Sequence, residues 1–185
     1  MIKFYLNREL SERLGIRLSK WKRWSREFLP PDPLGGLQSG YARQYSIDQA
    51  FTVYLGGHLV AALYFSIPQA KQIVKELGPW IKTHKTSLSG KAPEGAFTDT
   101  QVYIFKQLSP SSGEVAFAYL ERSRLSDTPY AKGGPYARQE VYIEKPIPVA
   151  SSSYRLDTLD TDDKMGSRIL YVSRLYDCFM AGMNS

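Results

Sequence analysis

Between Leu18 and Asp32 the chain reads LSKWKRWSREFLPPD, and this stretch restricts the fold more than any other. Wound as an α-helix at about 100° per residue, Leu18, Trp21, Trp24, Ser25 and Phe28 fall within an arc of roughly 120°. Lys20, Lys22, Arg23 and Arg26 fall on the opposite arc. Two tryptophans three residues apart are therefore core residues on one stripe, and the basic residues form a stripe that reaches outwards. Pro30 and Pro31 end the helix, because proline lacks the amide donor and its ring clashes with the preceding turn.

The segments on either side extend this pattern. FYLNRELSERLGI predicts a short helix from about Arg8 to Leu14, with Asn7 as its N-cap and Gly15 as the turn residue that follows. PPDPLGGLQSGYARQYS is dense in Pro, Gly and Ser and predicts a small hairpin with Tyr41–Tyr45 as its return strand. Ser46 caps a third helix that carries Ile47, Ala50, Phe51, Tyr54 and Leu55, with Gly56-Gly57 as a break or kink. Ser66 caps a fourth, with Pro68 in its first turn and Gly78-Pro79 as its stop.

The charge is not spread evenly. The 185 residues carry 24 Lys and Arg against 18 Asp and Glu, a net charge of +6. Up to Tyr45 nine basic residues face four acidic ones, so +5 of that excess lies in the first quarter. A concentrated positive field suits a polyanionic partner such as nucleic acid. The single cysteine, Cys178, excludes an intrachain disulfide and a Cys-rich zinc site. It reads as a small apolar residue of the last helix. The longest apolar run, LVAALYF, is too short to span a bilayer, and MIKFYLNREL lacks the apolar core of a signal peptide. The expectation is a soluble, cytoplasmic protein with no membrane partner.

The order helix, turn, basic helix, hairpin, helix, helix is that of a winged helix-turn-helix. The residues of this region resemble the DNA-binding domain of MerR-type transcription regulators and the related excisionases. Gly15-Ile16 takes the inter-helix turn of that family. Trp21-Lys22-Arg23-Trp24 stands where the family has Leu-Arg-Tyr-Tyr, and Arg26 takes its second arginine. Gly40-Tyr41, Arg43 and Tyr45-Ser46 take the wing signature, with Ala42 as an extra residue inside it. The stretch between Pro31 and Gly40 is longer than the family norm. After the fourth helix the family's dimerising coiled coil gives way here to a Gly/Pro/Ser-rich stretch.

The resemblance implies that the second helix enters the major groove of double-stranded DNA. A helix fits that groove, and Lys or Arg reads guanine edges or binds phosphate there. The candidates are Ser19, Lys20, Lys22, Arg23 and Arg26, with Arg17 just before the helix near the duplex backbone. Tyr41 and Arg43 of the wing would touch phosphate or the adjacent minor groove.

The remainder of the chain differs in kind. Residues 79–100 read as a linker or exposed loop. TQVYIFKQL and EVAFAYLERS flank SPSSG as a β-hairpin, and RQEVYIEKPIPVA gives a further strand near an edge because of its prolines. SRILYVSRLYDCFMAGM reads as an amphipathic helix whose first half is alternatively strand. Eight of the 13 tyrosines follow residue 100. Beside core packing, they suit a small-molecule effector pocket or a self-association surface, with the terminal helix able to pair with a copy of itself. Asp157, Asp160, Asp162 and Asp163 lack the spacing and glycine of a calcium loop and read as a solvated acidic loop. His58 and His84 are far apart, and neither forms a catalytic group with Cys178 in any local motif.

The fold class expected is α+β. Residues 1–78 form a winged helix-turn-helix, mostly helical with a small β wing. Residues 101–185 form an α+β domain with antiparallel strands and a terminal helix. The function expected is sequence-specific DNA binding by a transcription regulator acting as a homodimer, with no enzymatic activity, cofactor or metal. Two competitors are an excisionase that bends DNA and an adaptor whose winged helix binds a protein.

Overall fold

The computed structural model describes residues 3–32, 42–88, 97–108, 115–125, 142–149 and 166–184. The chain divides into two units, Met1–Gly78 with Cys178–Ser185, and Pro79–Asp177.

In the first unit, strand β1 (Tyr5–Leu6) leads directly into helix α1 (Asn7–Arg13). Leu6, not Asn7, occupies the N-cap position, and it makes no side-chain capping bond. Asn7 is used elsewhere: its Oδ1 accepts from the Tyr45 hydroxyl at 2.7 Å. Gly15 ends α1 with a φ of 62°, in the left-handed region that a Cβ disfavours. The Gly15 amide bonds back to Glu12 and the Ile16 amide to Ser11, a glycine-terminated C-cap that satisfies the carbonyls of the last turn. The Ser11 hydroxyl donates to the Ile16 carbonyl at 2.6 Å and fixes the same corner.

Helix α2 (Leu18–Phe28) follows with the bounds its residues predict. It buries Trp21, Trp24, Ser25 and Phe28. Strand β2 (Gln44–Tyr45) pairs antiparallel with β1, Tyr5 opposite Tyr45 and Leu6 opposite Gln44. The expected return strand thus exists over its last two residues, but the partner shown for it is the chain's own beginning. Residues 33–41 lie outside the described residues.

Helix α3 (Ile47–Ala61) starts on a capping box in which Ser46 and Gln49 bond each other's backbone amides at 3.2 and 2.9 Å. It runs straight through Gly56-Gly57, where a break or kink was expected. The glycines serve packing. A Cβ at Gly56 would overlap the Phe28 ring, and one at Gly57 would overlap the Trp24 ring. Two bare backbone positions one residue apart accept two rings one helical turn apart. The small cost of glycine in a helix, about 1 kcal/mol each, is offset by the burial of two large aromatics.

Helix α4 (Ile67–Leu88) repeats the cap with Ser66 and Gln69. It continues past Gly78-Pro79, which corrects both the expected stop and the first part of the expected linker. Ile73, Leu77, Ile81 and Leu88 are all buried and keep helical spacing across the proline. An interior proline costs about 3 kcal/mol, and burying Ile81 and Leu88 returns roughly as much.

In the second unit, β3 (Phe97–Leu108), β4 (Val115–Leu125), β5 (Tyr142–Pro146) and β6 (Arg168–Leu170) form one antiparallel sheet in the order β5-β4-β3-β6. The expected hairpin is β3–β4, and β5 is an edge strand that ends at Pro146. Val102, Ile104, Phe117, Tyr119 and Leu170 are buried on one face, and Phe105 and Ala118, with Tyr103 and Leu120 packed against them, are buried on the other. The β3 register shifts between Thr98 and Gln101. There Asp99 has a φ of 55° and accepts from Arg174, while the Thr100 amide donates to Ser173 Oγ at 3.0 Å.

Both expectations for the last segment hold in part: β6 takes its start and helix α5 (Val172–Asn184) the rest. The terminal helix, expected to be able to pair with a copy of itself, buries Val172, Leu175 and Phe179 within the chain. Cys178 is exposed rather than packed. The last residues of α5 belong to the first unit. Phe179 packs on Phe51 and Tyr54 at ring separations of 5.2 and 5.5 Å, and Arg13 donates to the Met183 carbonyl at 2.8 Å. The α+β class with antiparallel strands and a terminal helix stands.

Candidate nucleic-acid interface

The stripe of α2 that faces α3 is dry. Trp21 is fully buried and meets Tyr45 edge-on at 5.9 Å. Ser25 Oγ and the Tyr45 hydroxyl lie 2.7 Å apart, so Tyr45 joins α2 to Asn7 through one oxygen. With its proton given to Asn7, that oxygen accepts from Ser25. Burial, partly offset by these hydrogen bonds and by Arg43, raises the Tyr45 pKa and keeps the phenol protonated.

The opposite stripe is wet. Ser19, Lys20, Lys22, Arg23 and Arg26 are exposed, and so is Arg17 at the N-cap position. The only carboxylate on α2, Glu27, is bonded to Lys71 of α4 at 2.7 Å. The Lys71 hydrogen bond and charge, followed by the charges of Arg23 and Arg26, hold its carboxyl below the usual range. Lys71 therefore neutralises the one group that would subtract from the field of α2.

The cations divide between two concavities, one on each edge of the helix. Lys22, Arg26 and Arg43 line one of about 840 Å³, between α2, the start of α1 and the approach to β2. Arg17, Ser19, Lys20 and Arg23 line the other, about 600 Å³, which Val60, Ala61 and Ile67 close. The Lys20 ammonium rests 4.8 Å from the centroid of the Trp24 ring, so one tryptophan serves both the core and a surface cation.

Arg43 is half-exposed. Its Nη2 donates to the Pro30 carbonyl at 2.9 Å, and its guanidinium lies 5.6 Å from the Tyr45 ring centroid. It therefore ties the end of α2 to the segment entering β2 and keeps further donors. Tyr41 lies outside the described residues. Arg8, exposed in the first turn of α1, lines the same concavity as Lys22 and Arg26. Sequence reasoning missed it because the β1–β2 pairing, which brings the start of α1 beside β2, is a contact of two residues across some 40 positions of chain.

No protein-family model and no curated protein matches the chain. Among the described residues no helix is long and apolar enough to cross a membrane.

Proposed function

We propose that this chain is a sequence-specific DNA-binding protein of the transcription-regulator type, using a winged helix-turn-helix over its first unit. The observation that carries the reading is the division of α2. Four cations stand exposed along one side of a helix whose other side is keyed by two aromatic rings into two glycines. A helix held that rigidly presents its charges on a backbone already in place, so binding has only the side chains left to order. Entering a major groove, it puts Lys22, Arg23 and Arg26 within reach of base edges, while Arg17 and Arg43 meet the flanking phosphates. The chain performs no covalent step in this reading.

Selection of bound fragments from random double-stranded DNA tests it. One recurring motif is expected, and a palindromic motif reports that two copies bind about a two-fold axis. In the Arg23→Ala/Arg26→Ala double variant, affinity for the selected fragment falls strongly while the fold persists, since both side chains are exposed. Unchanged affinity in that folded variant contradicts the proposal. An adaptor that bound protein through an apolar surface would lose little affinity with added salt, whereas phosphate contacts are salt-sensitive.

A further inference from the structure

The cations of the larger concavity answer to a polyanion, but the rest of its lining does not. Leu18, Leu29, Pro30 and Ala42 contribute apolar wall, and Leu6 stands 46% exposed beside them. A phosphate–sugar strand carries a charge at every step with only small sugar C–H faces between them, a poor match to a wall of this make-up. Against the four cations Arg8, Lys22, Arg26 and Arg43, Asp32 is the one carboxylate of the lining among the described residues. A space of about 840 Å³ with apolar walls and a few convergent polar groups has the size and make-up of small-molecule sites. Arg43 is oriented before any ligand arrives, by the Pro30 carbonyl and the Tyr45 ring.

We propose that this concavity binds a small amphipathic anion, an aromatic or aliphatic body bearing one carboxylate or sulfonate, and that the bound anion excludes DNA from α2. Charge complementarity selects the anion, and the apolar wall selects its body over a bare phosphate. Exclusion follows because Lys22 and Arg26 serve both partners. This second half rests on the DNA-binding reading, and the first half does not.

The test uses anilinonaphthalene sulfonate titrated into the full chain, followed by fluorescence and by methyl NMR of Leu18, Leu29 and Ala42. One saturable site is expected, with shifts at the methyl groups of those three residues. Arg8→Glu weakens it by about tenfold, the scale of one lost charge-assisted contact. A glutamate in the first turn of α1 also suits the helix dipole, so this variant keeps its fold. Lys75→Glu removes the same charge from an exposed position on α4 outside the lining and leaves the probe affinity unchanged. Probe shifts confined to other residues, or equal losses in the two variants, overturn the site. A selected DNA fragment is expected to displace the probe, and simultaneous binding overturns the exclusion. If the chain binds no DNA at all, the DNA reading fails while the probe titration still decides the site.

Discussion

On one side of α2, Trp24 and Phe28 lie so close to Gly57 and Gly56 that a single methyl group would overlap them. On the other, Lys22, Arg23 and Arg26 are exposed. The first side obeys packing, which leaves no tolerance for volume. The second obeys electrostatics in water, where single side chains hardly affect stability. Stability and partner binding are therefore separable on one helix of 11 residues, and each can be broken without the other.

The largest effect belongs to the dry side and its continuation. Phe179 is fully buried against Phe51 and Tyr54 in the first unit. Phe179→Ala should cost about 3–5 kcal/mol. The check is the urea midpoint followed by tryptophan fluorescence, and an unchanged midpoint would show that the end of α5 is dispensable to the first unit. Gly57→Ala comes next, at about 1–3 kcal/mol, from overpacking against Trp24. If Gly57→Ala stabilised the chain, as removing an unneeded helix glycine does, the keyed packing would be wrong.

Smaller still is Tyr45→Phe, which removes the hydroxyl shared by Ser25 and Asn7 and leaves a buried serine without that partner. A loss of about 1–2 kcal/mol is expected, with no change in the salt dependence of DNA binding. The pH dependence sharpens the same side. Burial lowers the His58 pKa, so as pH falls the unfolded chain takes up this proton before the folded one. The contribution of His58 is intact above the ordinary histidine value of about 6.5 and is lost as pH falls through it toward the folded value. His58→Gln should flatten the stability profile in that window, which urea titrations at several pH values resolve. On the wet side, Glu27→Gln frees Lys71 and removes one negative charge, so DNA affinity should rise, by less than about fivefold.

What the residues disclosed by themselves depended on the range of the interaction. The α2 stripe is a local periodicity and the β3–β4 hairpin a local composition, β-favouring residues on either side of a turn, and both were legible. Gly56-Gly57 and Gly78-Pro79 carried strong local signals for breaks, and tertiary packing overruled both. In α3 the rings of α2 needed the glycines, and in α4 the apolar stripe continued to Leu88. The partner of β2 was invisible because two residues at the chain start carry no strand period. For the site, charge and spacing pointed to Lys20, Lys22, Arg23 and Arg26. They could not reveal Arg8, the pairing of Glu27 with Lys71, or the two separate concavities, since each depends on elements brought together by folding.

The most direct test of the central claim is the salt dependence of affinity for a selected DNA fragment, measured in parallel for the native chain and for Arg23→Ala/Arg26→Ala. The native chain should bind with an affinity that falls linearly in log–log form as salt rises. The double variant should bind more weakly, with a slope shallower by as much as about 1.8 where both arginines meet phosphate, and with an unchanged urea midpoint. Identical affinities and slopes for the two folded proteins would contradict the account.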